Sequence, residues 1–270
     1  MGRNKGFGKN IKDLVNLLGI IVIGGGVGIG GTLLAFDAQE KHFANISQGL
    51  PLMKGGIHLK KGKHNVVITD QFYELLTYET PQEDKDLVLN AFKEAYKNLN
   101  KYNSKLNFNL CTTVDEVANY YNLPKVSSIG KQDIPLYVTE GVLEGKNGVM
   151  AATNWKYDSF TYEMTNLDIT FRKKYLLAVN KTYDSLEETM NPYNAIAYTT
   201  ALHETMHTMG FAHIDDKESI MNTYVSYTSP KDLTEYDIEL LDKYNIQFYG
   251  AKSILENNSN LTDKESEMEF

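Results

Sequence analysis

The chain has 270 residues, of which 42% are hydrophobic and 23% charged, an ordinary globular mixture long enough for one large or two small domains. Its 27 basic and 35 acidic residues give a net charge of −8, and no basic block lies beyond the N-terminus, which makes nucleic acid a poor partner. The single cysteine, Cys111, excludes an intrachain disulfide and any cysteine-cluster metal site.

Residues 1–13 carry Arg3, Lys5, Lys9 and Lys12 ahead of an uncharged run at residues 14–36. As a helix that run would extend about 34 Å, enough to cross a hydrocarbon core of about 30 Å. Its exit, Leu34-Ala35-Phe36-Asp37-Ala38, puts bulky Phe36 where a signal-peptide cut wants a small residue. The expectation is therefore a single-pass membrane protein anchored through residues 14–36. Its basic N-terminus is cytoplasmic and everything after Phe36 lies outside. A removed signal peptide, giving a secreted protein, is the alternative. Gly24-x-x-x-Gly28 and Gly26-x-x-x-Gly30 could pack two anchors together. The part beyond the anchor holds 23 basic and 34 acidic residues, so anionic headgroups would repel it.

Residues 37–62 show no convincing period and read as a juxtamembrane tether. His42, His58 and His64 are read with it as solvated. Val66-Val67-Ile68 predicts a short buried strand. Thr80-Pro81-Gln82-Glu83 has the form of a helix start with Thr80 as cap, and Val88, Phe92, Ala95 and Leu99 follow at helical spacing. Leu106, Phe108 and Leu110 alternate with Asn107, Asn109 and Cys111, a strand with one wet face in which Cys111 is a small side chain, not a reactive thiol. Ile134–Thr139 reads as another strand, 144–148 as a turn, Val149–Thr153 as an extended segment, and Leu167–Phe171 as a further alternating strand. Asn191-Pro192 opens a second helix, Asn as cap and Pro first. This order predicts an α/β sheet with helices against it. Residues after Gly250 are polar and acidic and read as a mobile tail.

Three of the six histidines fall within eleven residues, His203-Glu204-Thr205-Met206-His207-Thr208-Met209-Gly210-Phe211-Ala212-His213. On a helix, His203 and His207 project from one face a turn apart. Glu204 stands beside the first ligand, able to reach a metal-bound water without being a ligand itself. Gly210 can end the helix in a left-handed conformation, and the chain then returns His213 as third ligand. Three protein ligands with one open position describe a catalytic zinc site. Ala195, Tyr198, Leu202, Met206 and Met209 form the stripe that would pack on the sheet.

HETMHTMGFAH resembles the long zinc signature of the metzincin metallopeptidases, and Ser219-Ile220-Met221 resembles their Met-turn. Over roughly residues 63–250 the chain is most similar to the matrixin type. Gly148-Val149-Met150-Ala151 resembles the edge-strand segment that pairs with substrate, and Leu233–Ile238 resembles the start of the last helix. There Thr234 would be the cap, and Ile238, Leu241 and Tyr244 a buried stripe. The resemblance implies an α/β (α+β) metzincin-like domain: a twisted mixed sheet with one antiparallel edge strand, two long helices, a Met-turn around Met221 and a C-terminal helix. It also implies one catalytic Zn2+ on His203, His207 and His213, and Glu204 as general base. Val149, Met150, Ala151 and Tyr224 would face a peptide or protein substrate.

The chain departs from the matrixin pattern in several places. No histidine lies between His64 and His203, and Ala152 stands where a structural-zinc ligand would fall, so a second zinc is not expected. No cysteine-containing inhibitory segment precedes the domain. Structural calcium is common in such proteins, but the acidic residues here show no sharp calcium pattern. The expected activity is that of a zinc-dependent endopeptidase acting outside the membrane. A zinc-stabilised surface-binding protein that does not cleave is the alternative.

Overall fold

A computed structural model of the chain describes residues 42, 48–178, 191–216, 218–223 and 232–250. The expected anchor at 14–36, Tyr224 and the tail beyond Gly250 lie outside the described residues. Among the described residues no helix is long and apolar enough to cross a membrane.

Among the described residues five strands form one sheet: β1 (Gly62–Ile68), β2 (Leu106–Thr112), β3 (Ile134–Thr139), β4 (Ala151–Tyr157) and β5 (Met164–Arg172), in the order β2-β1-β3-β5-β4. β1 runs parallel to β2 and β3, and β3 parallel to β5, whereas β4 pairs with β5 in antiparallel fashion and forms an edge. Parallel strands covered on both faces read as unbroken apolar runs. Val66, Val67 and Ile68 are accordingly fully buried. The extended segment expected at Val149–Thr153 begins two residues later, at Ala151, and runs on to Tyr157.

Among the described residues six α-helices accompany the sheet: α1 (Asp70–Thr77), α2 (Gln82–Tyr102), α3 (Asp115–Tyr121), α4 (Lys173–Leu176), α5 (Ile196–Thr208) and α6 (Glu235–Tyr249). In α2, Val88, Phe92, Ala95 and Leu99 are all fully buried, as their spacing requires. Phe72 from α1, Phe92 from α2 and Phe171 from β5 meet edge to face, with ring centroids 5.1–6.3 Å apart, at the centre of the core.

Two helix starts differ from expectation. Thr80 does not cap α2: its hydroxyl donates back to the Tyr78 carbonyl, and Pro81 stands at the cap without a side-chain bond. Tyr78 follows the last turn of α1, and the nearby hydroxyl is drawn to its carbonyl. Asn191 does cap, accepting from the Tyr193 N–H, but the turn it starts is a single 3-10 turn, Pro192–Asn194. Extended Ala195 separates that turn from α5. In α6 the expected Thr234 cap is present, joined by Asp237 in a capping box. Leu241 and Tyr244 are fully buried, and Ile238 only half so.

The tether reading of residues 37–62 fails for its C-terminal half. Residues 50–59 are a strap packed on the domain, with Leu50, Ile57 and Leu59 buried. The Met53 N–H donates to the Gly210 carbonyl (2.9 Å), and the Ala212 N–H to the Pro51 carbonyl (2.8 Å). His58 pairs through its backbone with Tyr162 and Met164, and the Leu59 N–H donates to the Tyr244 hydroxyl (2.8 Å). Irregular backbone can be buried here because several of its polar groups find specific partners on the domain. The histidines follow suit. His64 is buried in β1 between the carbonyls of Lys60 and Gln132, His58 stacks on Phe248 at 4.7 Å, and His42 is half-buried. Cys111 is buried, and burial pushes its thiol pKa up, consistent with a structural side chain.

Candidate metal centre

All thirteen residues of α5 are buried. The stripe Ala195, Tyr198, Leu202, Met206 and Met209 is buried as expected, but the helix rests on α2 as well as on β4 and β5. Tyr198 joins the two helices, accepting from the Asn98 amide (3.0 Å) and donating to Asp232 (2.8 Å). Its threonines meet their own helix: Thr205 and Thr208 hydroxyls donate to the carbonyls of Ala201 and Thr205.

Gly210 ends the run with φ +102°, a conformation that side chains rarely adopt. The chain reverses, Phe211 bridges to Leu52 of the strap, and His213 comes back toward the helix. The Nε2 atoms of His203, His207 and His213 then lie 3.0, 3.2 and 3.2 Å from one another. Among the described residues this is the one group of three potential ligands close enough to share an ion.

The tautomers are set from behind. His203 Nδ1 donates to the Ile220 carbonyl and His207 Nδ1 to the Phe211 carbonyl, each at 2.7 Å. With the proton on Nδ1, the Nε2 lone pairs converge on one point and repel each other unless a cation stands between them. Tetrahedral zinc with Zn–N bonds of about 2.0–2.1 Å needs nitrogens about 3.3–3.4 Å apart, close to the spacing seen. The donor set therefore fits a divalent ion of this type. Two of the rings are buried and His213 is exposed, so the open side faces solvent.

The second layer around His203 includes a residue that motif reading missed. Asp237, fully buried on α6, accepts from the Ser219 hydroxyl (2.6 Å) and the Ile220 N–H (3.0 Å). It thereby fixes the turn whose Ile220 carbonyl orients His203. Met221 in that turn is fully buried, and its carbonyl accepts from the Ile214 N–H (2.9 Å) just past His213. The signal available in sequence was the Thr234-x-x-Asp237 spacing, which announces a cap but not its second task.

Glu204 is 5% exposed, and its Oε2 accepts from the Thr153 hydroxyl at 2.6 Å. Burial raises its pKa, opposed by the His207 ring and the Thr153 bond. Thr153 lies on edge strand β4, which ties that strand to the histidine helix. Ala151 pairs with Phe171, and Met150 precedes the strand with its carbonyl accepting from the Arg172 N–H (2.9 Å). Val149 and Met150 are half-buried on the approach to the strand. The register between β4 and β5 breaks between Asn154 and Lys156, where Asn166 opposite takes φ +49°, so the regular edge beside α5 is short.

Burial lowers the pKa values of His203 and His207 to about 4 and that of His213 as well, so all three rings are held neutral and ready to bind a cation. The linkage has a sign. A ring whose folded pKa lies below its unfolded 6.5 contributes stability above 6.5 that is lost as pH falls toward the folded value, by up to about 1.4 kcal/mol per pH unit for each of the two buried rings and by less for exposed His213, whose charge solvent screens. The raised pKa of Glu204 acts oppositely but is one group against three. The urea midpoint of the metal-free protein should therefore fall between pH 6.5 and 4, and less steeply in a His203→Gln variant. Equal slopes in the two proteins would contradict this.

No protein-family model matches the chain, and no curated protein matches it. Among solved structures it is similar to archaemetzincin (amzA) from Methanopyrus kandleri, at 14% identity and a TM-score of 0.38, over 72% of this chain and 98% of that one.

Proposed function

We propose that the protein is a zinc-dependent endopeptidase of matrixin-like type that hydrolyses extended peptide or protein chains. The observation that carries the reading is the convergence of three Nε2 atoms within 3.0–3.2 Å beside a buried carboxylate that is not one of the three. Zinc, when bound, supplies Lewis acidity, an open coordination position and a water acidified from a pKa of about 15.7 toward about 7. Glu204 takes the proton from the attacking water and later delivers it to the leaving amine. The open edge of β4 from Ala151, with Val149 and Met150 before it, holds the substrate extended by strand addition. The basic segment 1–13 and uncharged run 14–36 support an anchor that places the domain outside the membrane.

The test uses the purified full-length protein and a mixed peptide library. One zinc per chain, cleavage abolished by a chelator and restored by added zinc, is the expected result. Bound zinc with no cleavage of any peptide would replace this reading with that of a zinc-stabilised surface-binding protein.

A further inference from the structure

We propose that Thr153 is a positioning residue that holds one oxygen of Glu204 so that the other faces the three histidines, an inference that rests on the peptidase reading above. The Thr153 hydroxyl lies 2.6 Å from Glu204 Oε2 and 3.1 Å from the Glu204 backbone carbonyl. Both contacts go to the same residue, fifty-one positions along the chain, and the hydroxyl's single proton goes to the nearer carboxylate oxygen.

A glutamate side chain has three rotatable bonds and sweeps a wide arc unless something holds it. Helix α5 fixes only the Cα and Cβ of Glu204. Among the described residues the Thr153 hydroxyl is the side chain that hydrogen-bonds its carboxylate. An ionised carboxylate that accepts one strong bond on Oε2 keeps Oε1 free for a proton. Thr153 is itself fixed by β4, where it stands opposite Ile169 of β5. The strand that would hold the substrate and the base that would act on it therefore share one bond. A shift of β4 moves substrate and base together, which preserves their distance. Small misplacements of a reacting group have large rate costs.

Thr153→Val keeps the β-branched shape and removes the hydroxyl, and Thr153→Ser restores it. In the full-length zinc-loaded protein, Thr153→Val is expected to lower kcat about tenfold with KM within about twofold of the parent. Thr153→Ser should return kcat to within about twofold, and zinc content should match the parent in both. Crystals of the metal-free Thr153→Val protein should show the Glu204 carboxylate turned to a new direction. A Val variant with parental kcat, a Ser variant that fails to rescue, or an unmoved carboxylate would overturn the proposal. A parent protein without chelator-sensitive cleavage would instead bring down the peptidase reading, and this inference with it.

Discussion

On the peptidase reading, replacing Glu204 with alanine is expected to lower kcat by about 10²–10⁴-fold while leaving one zinc bound per chain. The two halves of that result come from one geometry. The three Nε2 atoms lie close enough to hold an ion by themselves, and the Glu204 carboxylate accepts from Thr153 and is not part of the group. Loss of the carboxylate thus removes a proton acceptor and leaves the ligands untouched. Glu204→Gln sharpens the test, because it keeps the volume and can still accept from the Thr153 hydroxyl. Its kcat should fall as far as that of the alanine variant. Stability should move the other way. Burial opposes ionisation of Glu204, so an uncharged side chain there relieves a desolvation cost and the metal-free protein should melt no lower than the parent. Zinc-loaded Glu204→Gln that cleaves as fast as the parent would remove the base from the scheme. Loss of zinc in that variant would show that the carboxylate helps hold the ion.

The parts of the site that could be read from sequence are those fixed by local geometry. Helical spacing alone puts His203 and His207 on one face, and Gly210 three residues before His213 announces the reversal. The strands at Val66–Ile68 and Ile134–Thr139 were legible because buried parallel strands are continuously apolar. What could not be read depends on partners distant in the chain. Leu50, Ile57 and Leu59 have no period, and the groups that bury them or satisfy their backbone, around Gly210, Tyr162 and Tyr244, come more than 100 residues later. His64 looked solvated because nothing nearby in sequence shows that Gln132 closes over it. Thr153 and Asp237 act through bonds across 51 and 17 residues, and neither belongs to a spacing pattern that names its target. Thr80 shows the converse failure: a well-formed cap signal whose hydroxyl donates back to the Tyr78 carbonyl and accepts from no N–H of α2.

Gly210→Ala is expected to cost both stability and zinc affinity. At φ +102° any side chain is strained, at a cost of about 1–3 kcal/mol. The added Cβ would also sit 2.8 Å from the Ile57 carbonyl oxygen and 3.3 Å from Ile57 Cγ1. That oxygen is backbone of the buried strap and has little room to yield, because Met53 on the same strap donates to the Gly210 carbonyl at 2.9 Å. Relief must come from moving the strap or the turn. Either movement shifts Phe211, whose carbonyl holds His207, and His213 beyond it. The melting temperature should therefore fall by about 5–15 °C, at about 2–4 °C per kcal/mol for a domain of this size, and zinc affinity by about 10–100-fold. Gly148→Ala is the matched control. A Cβ there meets no atom within 4 Å and its φ is not positive, so both quantities should stay at parental values. Calorimetry on the metal-free proteins and competition with a chelator measure the two effects separately. If Gly210→Ala loses stability but keeps its zinc affinity, the turn supports the strap without governing His213. If it keeps both, the close approach of Ile57 is not the constraint that selects glycine at this position.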